Sequence, residues 1–140
     1  VDDRFLIRDR YLAGVSTEEE RLRAQADFDD NLRSATYALC VRGTGNYSTR
    51  FYEALCFGRV PLLVDTAGKL PFEDQIDWGE HIVRVAQTDL RNIGDLLVEG
   101  HPEVLADPRR SAEALHTLWE DWLSDDAAFG RLPTTVRRLL

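Results

Sequence analysis

The chain of 140 residues is 44% apolar and 30% charged, as expected for one soluble globular domain with its own core. Its formal net charge of -8 argues against binding nucleic acid or an anionic membrane through bulk electrostatics, but it leaves room for one locally bound phosphate. No run approaches the ~20 apolar residues of a membrane-spanning helix, so we expect no membrane segment in this chain.

The N-terminal part predicts a short strand and then a helix. Phe5–Ile7 is apolar and suits a strand, and Thr17 with Glu20 forms a capping-box pattern that opens a helix over Thr17–Ser34. One apolar stripe steps along this helix by four residues, through Ala24, Phe28 and Leu32. The sequence contains no methionine, and we interpret it as a piece of a longer protein.

A strand, a loop, a helix and a second strand follow. The pattern predicts strands at Tyr37–Val41 and Val60–Val64 and a helix at Ser48–Phe57 that ends at Gly58. The second strand is almost entirely apolar, which is typical of a parallel strand covered on both faces. The inward face of the helix is predicted to carry Phe51, Ala54 and Leu55.

The remaining elements continue the alternation of helices and strands. The pattern first predicts a helical turn at Asp74–Glu80, a strand at His81–Ala86 and a helix that is capped by Asp89 and ended by Gly100. It then predicts a connection at Pro102–Pro108, an amphipathic helix at Ser111–Leu123 and a last helical piece at Thr134–Leu140. This alternation defines an α/β class with a parallel sheet. Ligands of such sheets bind outside the carboxyl ends of the strands, where the loops Arg42–Tyr47 and Asp65–Phe72 are expected to meet.

The cysteines and histidines do not suggest a metal site. Cys40 and Cys56 match neither a CxxC nor a Cys/His zinc spacing, so we interpret them as buried, reduced thiols. The three histidines stand far apart in the sequence, at His81, His101 and His116. The tryptophans Trp78, Trp119 and Trp122 are interpreted as structural.

The loop after the first strand has features of an anion site. Gly43 and Gly45 permit a tight turn and a close approach of backbone N–H groups to a ligand. Ser48 and Thr49 open the following helix, whose free N–H groups and positive dipole end suit a phosphate. The glycine spacing fits neither the dinucleotide fingerprint nor a P-loop, because the third glycine and the Gly-Lys-Ser/Thr sequence are missing.

Charged residues flank this loop. Arg42 and Arg50 are placed to bind phosphate oxygens, and Glu53, one turn further on, is placed to accept hydrogen bonds from ribose hydroxyls. An ordinary alternative explains the same residues: a tight turn capped by Ser48, with an Arg50–Glu53 ion pair at the i, i+3 spacing of a helix. The residue pattern alone favours neither interpretation.

Three segments, taken in order, resemble the exostosin family of glycosyltransferases (glycosyltransferase family 47). They are Tyr37-Ala-Leu-Cys-Val-Arg-Gly, Ser48-Thr-Arg-Phe-Tyr-Glu-Ala-Leu-Cys-Phe-Gly-Arg-Val-Pro and Leu70-Pro-Phe-Glu-Asp-Gln-Ile-Asp-Trp78. The similarity covers about Tyr37 to Leu97 with the spacing of the family. Val41 stands where proline is common in the family, which is a mild departure.

The resemblance implies the C-terminal, donor-binding half of a GT-B glycosyltransferase. It implies a three-layer Rossmann-like parallel sheet, with residues 1–140 forming one nucleotide-sugar-binding domain of a larger two-domain protein. The donor would be a nucleotide sugar, usually a UDP-sugar, and the sugar or acceptor would border Asp65 and the Leu70–Phe72 segment. The residues implied to bind the donor are Arg42, Gly43, Thr44, Gly45, Ser48, Thr49, Arg50, Glu53 and Asp65.

The implied reaction is transfer of the sugar to an acceptor hydroxyl, with UDP leaving. It implies no cofactor or metal, because arginines and a helix N-terminus neutralise the diphosphate. The general base stays unassigned among Asp65, Asp74 and Asp77. The expected partners are the donor, a glycan or other hydroxyl acceptor and an N-terminal acceptor domain, in the cytoplasm of a bacterium or the Golgi lumen of a eukaryote. The alternative is a non-catalytic nucleotide-binding or structural module of the same fold.

Overall fold

The computed structural model describes residues 17–100 and 102–131. Contacts divide the chain into two compact units, residues 1–35 and residues 36–140. The predicted strand at Phe5–Ile7 and the predicted helical piece at Thr134–Leu140 lie outside the described residues.

In the first unit, helix α1 (Glu18–Arg33) begins at the predicted capping box. The Glu20 N–H donates to the Thr17 hydroxyl at 3.2 Å, and the Thr17 N–H donates to the Glu20 carboxylate at 3.1 Å. These two bonds satisfy amides that the first helical turn leaves without intrahelical partners. The predicted apolar stripe is also present, because Leu32 is buried and Ala24 and Phe28 are half-buried.

The second unit is built on a parallel sheet of three strands, β1 (Tyr37–Cys40), β2 (Val60–Val64) and β3 (Val83–Val85), in the order β1-β2-β3. Leu62 of β2 lies opposite Leu39 on one side and Val83 on the other. The middle position explains why β2 is apolar along its length and almost entirely buried. The predicted α/β class and parallel sheet are therefore confirmed.

Helix α2 (Thr49–Cys56) connects β1 to β2 and packs on both strands. Its buried side chains are the three predicted from helical spacing, Phe51, Ala54 and Leu55. After the C-cap residue Phe57, the chain leaves the helix through Gly58, whose φ of +64° favours glycine because a side chain in this left-handed region is strained.

The segment around β3 differs from its prediction. The strand covers only three of the six residues predicted, because His81 caps a 3-10 helix at Trp78–Glu80 and donates its N–H to the Trp78 carbonyl. Asp89 is not a helix cap. It lies inside a 3-10 helix at Gln87–Asn92 that leads directly into α3 (Ile93–Gly100).

The C-terminal helices begin earlier than predicted. The predicted connection at Pro102–Pro108 contains a short helix, α4 (Pro102–Ala106), and α5 (Pro108–Trp122) begins three residues before Ser111. Proline is accommodated in the first turn of a helix, where its missing N–H would have no intrahelical partner. The true cap of α5 is Asp107, whose carboxylate accepts the Arg110 N–H at 3.0 Å.

Helix α5 packs against α2. A Cβ on Gly58 would lie 2.4 Å from the Ala112 carbonyl oxygen, so the absence of a side chain there permits the close approach of α5. Nδ1 of His116 lies 2.7 Å from the Cys56 carbonyl oxygen at the end of α2. Leu115 is buried, whereas Trp119 and Trp122 are only half-buried on the predicted stripe.

Residues 125–131 form a further helix. Within the described part of the chain, no helix has both the length and the apolar character needed to cross a bilayer. Cys40 and Cys56 are free thiols, as predicted. Cys40 is buried, as predicted, whereas Cys56 is only half-buried.

Candidate functional site

Two loops leave the carboxyl edge of the sheet side by side. The glycine loop (residues 42–47) follows β1, and the second loop (residues 65–77) follows β2. Together with the start of α2 they border an open cleft with a cavity volume of about 30 Å³. The polar and charged side chains that line it are Arg42, Asn46, Tyr47, Ser48, Tyr52, Thr66 and Lys69.

The glycine loop is closed by its own backbone. The Gly43 N–H donates to the Tyr47 carbonyl oxygen at 3.0 Å, so this amide is already bonded within the loop. A Cβ on Gly45 would lie 2.7 Å from a carbon of the Tyr47 ring. A Cβ on Gly43 would meet nothing closer than 4.0 Å, and the Tyr47 ring beside Gly45 is exposed, so a direct contact of either glycine with a ligand stays a prediction.

Ser48 occupies the N-cap position of α2 without acting as a side-chain cap. It is 5% exposed, and its carbonyl oxygen accepts the Phe51 N–H at 3.2 Å, but its hydroxyl makes no capping hydrogen bond. Ser48 is thus the N-cap residue of α2, as expected, but its side chain does not take part in the cap. A hydroxyl at a helix N-terminus that does not bond to the helix is available to a group bound in the cleft.

Arg50 and Glu53 form the ion pair that is expected if the loop is only a tight turn without a ligand. Arg50 Nε lies 3.7 Å from Glu53 Oε2, and the two side chains are 31% and 29% exposed. Neither lines the cleft. They lie near Cys40, where burial raises the pKa of the thiol to about 12 while the Arg50 charge acts to lower it and Glu53 to raise it.

The second loop is fixed to the glycine loop through Asn46. The Thr66 hydroxyl donates to Asn46 Oδ1 at 2.7 Å, and a Cβ on Gly68 would lie 2.9 Å from the Asn46 carbonyl oxygen. Asp65 accepts the Ala67 N–H at 2.8 Å and so holds a turn in which Ala67 has a φ of +55°. The carboxylate of Asp65 is thus used in shaping the loop and does not line the cleft.

The Leu70–Trp78 segment is held by a buried tryptophan. Trp78 is 3% exposed, donates its ring N–H to the Pro71 carbonyl at 2.8 Å and packs edge-on against Phe51 at 5.2 Å between ring centres. The Glu73 carboxylate accepts the Leu70 N–H at 3.2 Å. The structural interpretation of Trp78 is therefore confirmed.

Asp74 and Asp77, the other two candidates for the general base, also lie outside the cleft. Asp77 accepts the Gly79 N–H at 3.0 Å as an N-cap, and Asp74 accepts from the Gln75 amide at 3.3 Å. Both border a separate, shallow depression with Arg84. Within residues 17–100 and 102–131, no three His, Cys, Asp or Glu side chains gather as a potential metal site.

The charge of the cleft contrasts with the charge of the chain. Arg42 and Lys69 line it, no carboxylate does, and neither cation forms an ion pair or hydrogen bond with a described residue. On the helix surfaces, by comparison, Arg23 pairs with Glu19 and Arg109 with Glu113. A locally positive cleft in a chain of net charge -8 favours an anionic ligand.

The structure brings part of the predicted site together. Arg42 and Ser48 line the cleft, Gly43, Thr44 and Gly45 belong to the loop beside it, and Thr49 begins the adjoining helix. Sequence reasoning missed Asn46, Tyr47, Thr66 and Lys69. One signal was present, because Lys69 is the only lysine in the sequence and directly precedes the Leu-Pro-Phe motif.

The fold and the cleft define an α/β domain with a candidate anion site at the carboxyl edge of a parallel sheet. The model of the Exostosin GT47 domain matches residues 8–99, and the chain belongs to this family. The family resemblance drawn from the three sequence segments is thereby confirmed.

Relatives with assigned names are glycosyltransferases and exostosin homologues. A probable glucuronosyltransferase of Oryza sativa subsp. japonica is 33% identical over 90 residues, which cover 64% of this chain and 20% of the relative. The exostosin-1 homolog of Caenorhabditis elegans is 32% identical over 90 residues, which cover 64% of this chain and 24% of the relative. A probable beta-1,4-xylosyltransferase of Arabidopsis thaliana is 29% identical over 103 residues, which cover 74% of this chain and 24% of the relative. The aligned segment thus spans at most 24% of the length of these relatives.

Proposed function

We propose that this chain is the donor-binding part of a glycosyltransferase and that its cleft binds a nucleotide sugar, most simply a UDP-sugar. The observation that carries the proposal is that a cleft at the start of α2 is lined by two cations, Arg42 and Lys69, and by no carboxylate, and that neither cation has a partner among the described residues. Family membership supports it, since relatives of this chain are named glucuronosyltransferase and xylosyltransferase. We further propose that the domain is the C-terminal half of a GT-B architecture, with a three-layer sheet and a separate acceptor domain.

The diphosphate is proposed to bind between the glycine loop and α2. Arg42 supplies charge-assisted hydrogen bonds, and the Ser48 hydroxyl and the first N–H groups of α2 supply neutral donors. The positive end of the helix dipole adds to the attraction. In this proposal no cofactor is required, because these groups neutralise the charge that the leaving diphosphate develops.

Arg50 and Glu53 are proposed to serve the nucleoside end of the donor. Their ion pair at 3.7 Å is longer than a hydrogen bond, and about a third of each side chain is exposed, so both can turn towards a ligand. Glu53 then accepts from ribose hydroxyls. Asp65 and the loop residues Gly43, Thr44, Gly45 and Thr49 are proposed to border the bound donor.

The proposed reaction is a displacement at the anomeric carbon of the sugar. The acceptor oxygen forms a bond to that carbon as the bond from the carbon to the diphosphate oxygen breaks, and the electron pair leaves with the diphosphate. The hydroxyl proton passes to a general base. No carboxylate lines the cleft, so we assign the base to a part of the protein outside it.

The same observation favours a second candidate function. A cleft that binds the nucleotide but contains no base suits a non-catalytic nucleotide-binding module. The two candidates differ in turnover and agree on binding. Transfer of the donor sugar by this domain together with the proposed acceptor domain would favour the enzyme, whereas nucleotide binding without transfer by the two together would favour the module.

Calorimetric titration with UDP, GDP and ADP tests the proposal. We expect saturable UDP binding, weakened about tenfold by Arg42→Met, which corresponds to roughly 1.4 kcal/mol. Arg91→Met is the matched control, because Arg91 is an exposed arginine on the 3-10 helix at Gln87–Asn92, outside the cleft. Failure of all three nucleotides to bind at millimolar concentration would overturn the proposal.

A further inference from the structure

We propose that Lys69, a residue of the second loop, binds the distal phosphate of the donor diphosphate. This inference rests on the proposed function and deepens it, since it assigns the second phosphate to a residue of the second loop. Lys69 lies outside the three motifs that carry the family resemblance, so the assignment comes from the geometry of the cleft.

The position of Lys69 is set by contacts between the loops. The Thr66 hydroxyl bonds to Asn46 at 2.7 Å, and Gly68 lies so close to the Asn46 backbone that a Cβ would approach its carbonyl oxygen to 2.9 Å. On the other side, the Leu70 N–H donates to Glu73 at 3.2 Å. The backbone of Lys69 is thus held on both sides, next to the glycine loop.

The charge of Lys69 has no counterpart within the described residues. It forms no ion pair or hydrogen bond there, and no carboxylate shares the cleft lining with it. Lysine carries three donors on a long, rotatable stem and acts as a point charge towards phosphate. An exposed lysine in the lining of a carboxylate-free cleft is therefore available to an anion that enters.

The two sides of the cleft divide the diphosphate between them. Arg42, the Ser48 hydroxyl and the N-terminus of α2 approach from the glycine-loop side, and Lys69 approaches from the second loop. A nucleoside monophosphate fills only the first set of contacts. A nucleoside diphosphate fills both sets of contacts, so Lys69 is expected to increase the affinity for UDP but not for UMP.

The first test measures binding of UDP and UMP to Lys69→Met and Lys69→Arg. We expect Lys69→Met to lower UDP affinity about tenfold, as loss of a hydrogen bond to a charged group does, and to change UMP affinity less than about twofold. Lys69→Arg should recover most of the UDP affinity because it keeps the charge. Arg91→Met removes one positive charge away from the cleft and should leave both affinities unchanged.

The second test needs no substitution, because Lys69 is the only lysine in the sequence. Reductive methylation followed by peptide mass spectrometry reports its accessibility, with the N-terminal amine as internal reference. UDP should protect Lys69 strongly and UMP weakly, while the N-terminal amine reacts equally in all samples.

The outcomes separate this inference from the proposed function. Absence of UDP binding overturns the proposed function itself. UDP binding without protection of Lys69, or equal protection by UDP and UMP, overturns only the distal-phosphate assignment. An effect of Lys69→Met on UDP-glucuronate but not on UDP would assign Lys69 to a sugar carboxylate and would also overturn it.

Discussion

The glycine loop and the second loop leave neighbouring strands, but they are held in different ways. The glycine loop is closed by one backbone hydrogen bond, from Gly43 to Tyr47, and most of its side chains are exposed. The second loop is held by the buried ring of Trp78 and by the Asp65 and Glu73 carboxylates, which bond to its backbone.

This difference shows what the two motifs contribute. In the second loop, the Asp65 and Glu73 carboxylates and the Trp78 ring N–H bond to the loop's own backbone. In the glycine loop and at the start of α2, Arg42 and the Ser48 hydroxyl stay available to a ligand. The second loop therefore acts as a fixed wall, and Lys69 is the cation presented by that wall. Substitutions in the two loops should separate stability from binding.

The largest expected effect is the loss of stability when Trp78, which holds the second loop, is replaced. Trp78→Ala should lower the free energy of unfolding by about 3–5 kcal/mol, since it removes a large buried ring. Trp78→Phe should cost less, because it keeps a packed ring and loses mainly the hydrogen bond to Pro71, worth about 1 kcal/mol. Urea denaturation measures both, and a cost below about 1 kcal/mol for Trp78→Ala would show that the ring does not hold the loop.

The next effect concerns the contact between the loops. Gly68→Ala forces a methyl group against the Asn46 backbone, so we expect a loss of about 1–3 kcal/mol in stability together with weaker UDP binding. Gly94→Ala is the matched control in α3, since a Cβ there meets nothing within 4 Å. It should be neutral or stabilising by up to about 1 kcal/mol. Equal behaviour of the two variants would contradict the close approach at Gly68.

An effect that builds up over several pH units is expected at alkaline pH from Cys40 in β1. Burial raises the pKa of Cys40 from an ordinary value of 9.0 to about 12, so the folded state keeps this proton after the unfolded state has lost it. The unfolded state then binds fewer protons, and stability should fall with rising pH by up to ~1.4 kcal/mol per pH unit between those two values.

Urea denaturation across pH 9–12 measures this slope. Cys40→Ala should make it shallower, because the buried thiol no longer contributes. Cys56→Ala is the control, since Cys56 is only half-buried and should leave most of the slope in place. Identical slopes for Cys40→Ala and the wild-type chain would show that Cys40 does not control the alkaline response.

Local signals were enough to predict much of the fold. The capping box at Thr17, the apolar run of β2 and the left-handed Gly58 each depend on neighbouring residues, and all three predictions are confirmed. Pro102 was harder to interpret, because proline suits both a connection and the first turn of a helix. The shortened β3 depends on the hydrogen bond from His81 to Trp78, for which the sequence carries no local signal.

The site was less predictable because it depends on a contact between loops. Arg42 lies just after the first strand and Ser48 at the start of the next helix, and both were found from these positions. Asn46 and Thr66 are 20 residues apart, and their hydrogen bond is what places Lys69 beside the glycine loop. No spacing rule relates these residues, so Lys69 went unassigned even though it is the only lysine.

The close packing of α5 on Gly58 has a consequence for the order of folding. Every residue that lines the cleft lies between Arg42 and Leu70, yet the helix that carries Ser48 is also held from its far end by Ala112 and His116. The bond from His116 to Cys56 spans 60 positions of the sequence, a separation that slows folding through the entropy of closing the intervening chain. During synthesis the cleft residues therefore emerge well before the helix that completes their support.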